Sequence, residues 1–102
     1  MDRERVDRLL NLLGLARRAG RLAVGFSAVE RLVKRGERPL IVVARDIGAA
    51  QREKVRRWQP VAGCVEDIVT SAELADRLGR QKLAVVGVSD PGFVKGIAEL
   101  ID

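Results

Sequence analysis

The sequence predicts an α/β fold, and three observations carry that reading. Leu40-Ile41-Val42-Val43-Ala44 is a continuous apolar run rich in branched residues, and Leu83-Ala84-Val85-Val86-Gly87-Val88 is a second. Apolar runs without alternation belong to strands covered on both faces. Around and between them, apolar residues recur at helical spacing. The resulting order, α-β-α-β-α-β-α-β-α, predicts a mostly parallel or mixed four-stranded sheet with helices on both faces.

Each element has its own warrant. Residues 2 to about 18 place Val6, Leu9, Leu10, Leu13 and Ala16 on one helical face. Asp2 can cap that helix, Arg17 and Arg18 suit its C-terminal end, and Gly20 stops it. Leu22-Ala23-Val24 reads as a buried strand that hands over directly at Gly25 to a second helix, carrying Phe26, Val29, Leu32 and Val33 and stopping at Gly36. Pro39 closes the turn into the Leu40 strand. Asp46 is placed to cap a third helix, about 48 to 58, anchored by Val55 and Trp58 and made basic by Arg52, Lys54, Arg56 and Arg57. Residues 63 to 69 form a weaker strand. Thr70-Ser71-Ala72-Glu73 fits a capping box for a short helix with Leu74, Ala75 and Leu78, ended by Gly79. Arg80-Gln81-Lys82 is an exposed turn. Asp90-Pro91 starts the last helix, whose stripe is Phe93, Ile97, Leu100 and Ile101.

Length and composition bound the function. The 102 residues suffice for one domain, 1–102, with a modest core. No apolar run approaches membrane-spanning length, so no membrane partner is expected, and no signal-peptide core is seen at the start. Cys64 is alone, so a cytoplasmic home is expected. The residue reads as a small core side chain. Without His there is no common general base and no His/Cys metal cluster. Glu66 and Asp67, as neighbours on a strand, point to opposite faces. No Gly-rich phosphate loop is present. The chain is therefore read as non-catalytic, with no catalytic or metal-binding residues and no cofactor.

The charge points elsewhere. Net charge is +5, but residues 1–38 carry net +5, residues 39–60 net +3 and residues 61–102 net −3. A basic half suggests a face made for a polyanion, against the plainer reading of solubilising charge. The densest candidate is residues 20 to 38. There Gly25 permits a close approach, the first turn of the second helix presents free N–H groups, and Arg31, Lys34 and Arg35 follow.

Four stretches carry a resemblance: LLGLARRAGRLAVGFSAVERLVKRG, LIVVARD, ELADRLGR and AVVGVSDPGFVKGI. Together they resemble the kink-turn RNA-binding ribosomal proteins, the L-seven-Ae/L-thirty-e group, in its bacterial YlxQ-like branch. The resemblance implies a three-layer α/β/α sandwich with a four-stranded mixed sheet. It implies that RNA meets the N-terminus of the second helix and the turn after the fourth. In that family, polar side chains after the helix-opening glycine read sheared G·A pairs. Here Gly25 and Arg31 keep the backbone approach and the cation, Ser27 is a shorter polar group, and Ala28 has no polar side chain. The implied RNA-binding set is Gly25, Phe26, Ser27, Ala28, Arg31, Lys34, Arg45, Arg80, Gln81 and Lys82. Phe26 reads either as packing or as a stacking platform, and Arg45 either as a phosphate contact or as a partner of Asp46.

The leading expectation is a small, monomeric RNA-binding protein acting on structured, kink-turn-like or ribosomal RNA, with the ribosome or other proteins as further partners. The alternative is a protein-interaction module that keeps the fold without specific RNA readout. A nucleotide-binding or enzymatic α/β domain ranks third, for want of His, Tyr and a phosphate loop.

Overall fold

The computed structural model describes residues 3–101. The Asp2 cap expected for the first helix lies outside those residues. The described elements are α1 (Arg3–Arg18), β1 (Leu22–Val24), α2 (Phe26–Lys34), β2 (Leu40–Val43), α3 (Ala49–Arg56), β3 (Gly63–Val65), α4 (Ser71–Leu78), β4 (Val85–Val88) and α5 (Pro91–Ile101). The order is the one the apolar pattern predicts. No described helix is long and apolar enough to cross a membrane.

The sheet is mixed, with strand order β1-β4-β2-β3. β2 and β3 run parallel, whereas β4 is antiparallel to both β1 and β2. In consequence β1, β2 and β3 all point the same way. The C-terminal ends of these three strands and the N-terminal end of β4 share one edge of the molecule, where Val24 pairs with Val86 and Val43 with Val85. The two continuous apolar runs supply the interior strands, β2 and β4, and every residue of both is buried. The edge strand β1 is half-buried, a correction to the buried strand expected, because only β4 flanks it.

Alternation along the interior strands divides the core in two. Leu40 and Val42 of β2, with Val86 and Val88 of β4, face Leu9, Leu13 and Ala16 of α1, Leu74 and Leu78 of α4, and Ile97 of α5. Ile41, Val43 and Val85 face the other way, toward Val29 of α2 and Val55 of α3. The result is three layers, with α1, α4 and α5 on one face and α2 and α3 on the other. The five residues read as the α1 stripe are its five buried residues. The α5 stripe is narrower than expected: Ile97 is buried, whereas Phe93, Leu100 and Ile101 are only partly covered, because α5 leans on α1 at the outer side of that layer.

The stops are glycine-built where expected. Gly20, Gly36 and Gly79 take φ of 71°, 86° and 68°, the left-handed region in which a side chain is strained. Gly79 N–H donates to Ala75 O, and Arg80 N–H follows it to the same carbonyl. The Thr70–Glu73 capping box is complete: Glu73 N–H donates to Thr70 Oγ1 at 3.1 Å, and Thr70 N–H donates to Glu73 Oε1 at 2.9 Å. Asp90 caps α5 by accepting from Gly92 N–H at 3.0 Å and Phe93 N–H at 3.3 Å.

Three local expectations are corrected. β3 ends at Val65 rather than 69, and Glu66 turns toward α3, where Arg52 and Arg56 meet it at 3.3 and 3.4 Å. Cys64 is exposed rather than core, since β3 is an edge strand. Asp46 does not cap α3, whose cap residue Gly48 receives no side-chain bond. Instead Asp46 reaches the start of α4.

Candidate nucleic-acid interface

A groove of about 570 Å³ opens along the edge where the strands β1, β2 and β3 end. Gly25 and Phe26 line it from the start of α2, Asp46, Ile47 and Gly48 from the loop after β2, and Ser71 and Ala72 from the start of α4. Gln81 and Lys82 close it from the turn before β4. Three helices therefore begin around one depression. This follows from topology: each of these helices starts where a strand running in the common direction has just finished. Helix N-termini carry partial positive charge, so the groove is electropositive before any side chain is counted.

The three starts differ in how far they are satisfied. At α4, Ser71 N–H donates to Asp46 Oδ1 at 2.7 Å and Ser71 Oγ donates to Oδ2 at 2.6 Å. The Ser71 hydroxyl and backbone hold the Asp46 carboxyl below its usual range, so it is anionic at neutral pH. With the capping box, the N–H groups opening α4 are internally engaged. At α2, the cap residue is Gly25, with φ 97°, no side-chain cap and no acidic residue in the first turn. Gly25 N–H donates to Val85 O at 2.9 Å, and Val29 N–H closes the first intrahelical bond on Gly25 O at 3.1 Å. The N–H groups of Phe26, Ser27 and Ala28, which lie before that bond, have no side chain capping them and are turned to an external acceptor.

The expected site residues fall into three groups. Gly25, Phe26, Gln81 and Lys82, far apart in sequence, line the same groove. Ser27 is exposed beside it, and Ala28 is half-buried. Arg31 lies one turn further along α2, exposed and without an ion-pair partner among the described residues. Lys34 is at the far end of the helix, 3.8 Å from Glu30 as the i,i+4 spacing implies. Arg80 and Arg45 are exposed and outside the groove lining. The backbone carbonyl of Arg45 accepts from Arg52 Nη2 at 2.9 Å.

Phe26 packs on Trp58, with ring centroids 4.9 Å apart and planes tilted by 47°. The pair ties the start of α2 to the chain leaving α3 and joins the core on that face. One side of Phe26 still borders the groove. The basic third helix is partly neutralised: Arg52 and Arg56 share Glu66, and Arg57 lies 3.9 Å from Glu53.

Gln51, Ser71 and Ala72 border the groove as well, and sequence reasoning did not place them there. The signal available was the rule that α/β sites collect beyond strand C-termini. That rule marked the end of β2 at Asp46, but the chain alone does not show that α4 starts beside it.

Residues 7–95 match the sequence model of the family described as ribosomal protein L7Ae/L30e/S12e/Gadd45. The chain belongs to that family. A curated member-like relative, the RNA-binding protein YlxQ of Enterococcus faecium, is 30% identical over 98 residues, covering 94% of this chain and 93% of that one. A Bacillus halodurans protein of unknown function superposes with a TM-score of 0.76 at 32% identity, over 92% of this chain and 96% of the other. The Giardia lamblia 15.5kD RNA binding protein gives a TM-score of 0.73 at 16% identity, over 99% of this chain and 88% of that one, a likeness of fold. The mixed four-stranded sheet with its five described helices is thus the fold of the L7Ae/L30e/S12e/Gadd45 neighbours. In keeping with that membership, the protein is non-catalytic.

Proposed function

We propose that the protein binds structured RNA of the kink-turn type through the groove between the start of α2 and the 79–82 turn. The observation that carries this reading is the sharing of one groove by Gly25–Phe26 and Gln81–Lys82. The uncapped first turn of α2 takes a phosphate, and Arg31 and Lys82 add charge on either side. Phosphate contacts position the RNA and base contacts specify it. Ser27 and Ala28 offer little to a base edge. Gln51 and Gln81 line the groove with amide groups that donate and accept, and Asp46 is an acceptor for base amino groups. Membership in a ribosomal-protein family and a relative named as an RNA-binding protein support the same reading. The protein acts as a single domain and a monomer, in the cytoplasm, on ribosomal or other structured RNA.

The test is a fluorescence anisotropy titration against a kink-turn RNA and a control with its G·A pairs replaced, each at two salt concentrations. Tighter binding to the intact RNA is expected. Equal, strongly salt-dependent binding to both would reduce the function to general RNA binding. Absence of binding to either would favour the protein-interaction module, the reading that the apolar Ala28 suggests.

A further inference from the structure

We infer that RNA leaving the groove continues onto a second basic cleft between the C-terminal ends of α1 and α4, where Arg17, Arg18, Arg77 and Arg80 hold the phosphate backbone of the flanking strand. The inference rests on the RNA-binding reading of the groove and extends its footprint.

The cleft encloses about 250 Å³ and is lined by Asn11, Gly14, Arg17, Arg18, Arg77 and Leu78. Among the described residues no carboxylate lines it. Gly14 leaves it open, since a Cβ built there would meet nothing within 4 Å. Several arginines elsewhere on the surface are matched: Arg3, Arg8, Arg35, Arg52 and Arg56 each have a carboxylate within 3.4 Å, whereas Arg31, Arg38 and Arg45 stand singly rather than as a group. Among the described residues, Arg17, Arg18, Arg77 and Arg80 have none, and Arg77 donates to the neutral amide oxygen of Asn11. Three guanidinium groups thus line the cleft and a fourth, Arg80, follows in the turn after α4, none of them paired with a carboxylate among the described residues.

Helix dipoles account for only part of this. Each helix C-terminus carries roughly half a negative charge, so the two ends together offset about one of the four cations. The surplus of about three positive charges is left to an external anion. Guanidinium matches phosphate oxygens in a bidentate fork, which makes a phosphodiester backbone the fitting partner.

The turn after α4 links the cleft to the groove along the chain. A Cβ at Gly79 would lie 3.7 Å from Arg17 Nη1, so the turn after α4 starts against the cleft. Three residues later Lys82 lines the groove. Three Cα steps span at most about 11 Å, and exposed Arg80 lies between. A strand emerging at Lys82 meets Arg80 and then the cleft arginines in turn.

The experiment compares the wild type, the Arg17→Gln/Arg18→Gln double variant and Arg77→Gln on two RNAs. Both RNAs carry the same kink; one is trimmed to it, and the other extends on both sides. The wild type should bind the extended RNA more tightly and with a steeper salt dependence. The double variant should lose that gain, its log–log salt slope shallower by about 0.9 for each phosphate contact removed, while its binding to the trimmed RNA stays unchanged. Arg77→Gln, in the cleft lining and outside the groove, should reproduce part of the loss. Equal affinity of the wild type for both RNAs, or equal weakening of both by the variants, would overturn the second cleft and leave the groove standing. No binding of the wild type to either RNA would overturn the groove itself, and the cleft with it. An unchanged melting temperature of each variant checks that the fold is intact.

Discussion

A methyl group on Gly87 would stand 3.2 Å from both Cγ atoms of Val29, so bare backbone in β4 is what lets α2 lie against the sheet. Val29 is fully buried, and a helical Val has essentially one rotamer, so it cannot swing aside. Val29 is also the first residue of α2 to bond back to Gly25. The height of the α2 N-terminus above the sheet, and with it one wall of the groove, is set at this contact.

Gly87→Ala should therefore destabilise the protein by about 1–3 kcal/mol, the usual cost of overpacking a filled core. A lowered urea midpoint with an unchanged slope would show it. RNA affinity should fall in the same variant, because lifting α2 moves Phe26 and the uncapped N–H groups together. Unchanged stability would mean that α2 shifts freely over β4.

The Phe26–Trp58 contact makes a second test. Phe26→Ala and Trp58→Ala should each destabilise, and the double variant should reveal a coupling of about 0.5–1.5 kcal/mol between them. A coupling near zero, with RNA binding lost in Phe26→Ala alone, would instead make Phe26 a stacking platform.

Arg31 and Lys34 should behave differently on RNA. Arg31 is without a partner among the described residues, whereas the Lys34 ammonium lies 3.8 Å from Glu30. Arg31→Ala should weaken binding and reduce the salt slope by about 0.9, the value of one lost phosphate contact. Lys34→Ala should change the slope less. Equal slopes for the two variants would place the RNA along the whole helix.

Acid should loosen the α4 start. The Ser71 bonds hold Asp46 below its usual 3.8, and the Thr70 backbone N–H, helped by Arg3, holds Glu73 below its usual 4.5. Groups whose pKa is depressed by folding stabilise above their unfolded values and lose that contribution as pH falls through the folded ones. Melting temperature should thus be steady with respect to these groups above about pH 5 and drop below it. Asp46→Asn should start lower at neutral pH and fall less steeply in acid; a parallel curve would mean that Asp46 contributes nothing to the effect.

Cys64 should be accessible but slow. Desolvation, with Glu66 nearby, pushes its thiol up to about 11. The thiolate is the reactive form, so alkylation by iodoacetamide should be sluggish at pH 7 and accelerate toward pH 11. Fast alkylation at neutral pH would contradict that environment.

The sequence was sufficient wherever neighbours along the chain decide the structure. The α1 stripe, the Thr70–Glu73 box, the glycine stops and the Asp90-Pro91 start are all set by residues within a turn of one another, where spacing and capping chemistry act directly. The two unbroken apolar runs likewise announced the interior strands, since only a strand covered on both faces has no use for a polar side.

Where distant segments compete for the same group, local pattern misled. Asp46 is one residue ahead of the α3 loop and looks like its cap, yet Ser71 offers it two hydrogen bonds. Cys64 is small and apolar enough for a core, yet edge placement of β3 leaves it open. The spacing of Arg52 and Arg56 makes α3 basic, but only the fold shows that Glu66 folds back onto both.

The sequence by itself determined the elements, their order, the basic half of the chain and the segments 25–28 and 80–82 as candidates. Only the tertiary structure decided that Gly25, Phe26, Gln81 and Lys82 from those segments share a groove with Asp46, Gln51 and Ser71, and that Arg17, Arg18 and Arg77 gather without a carboxylate among the described residues. The physical reason is that capping and periodicity act over a few residues, whereas a groove and its charge balance depend on strand direction and pairing. Those are settled by packing between segments far apart in the chain.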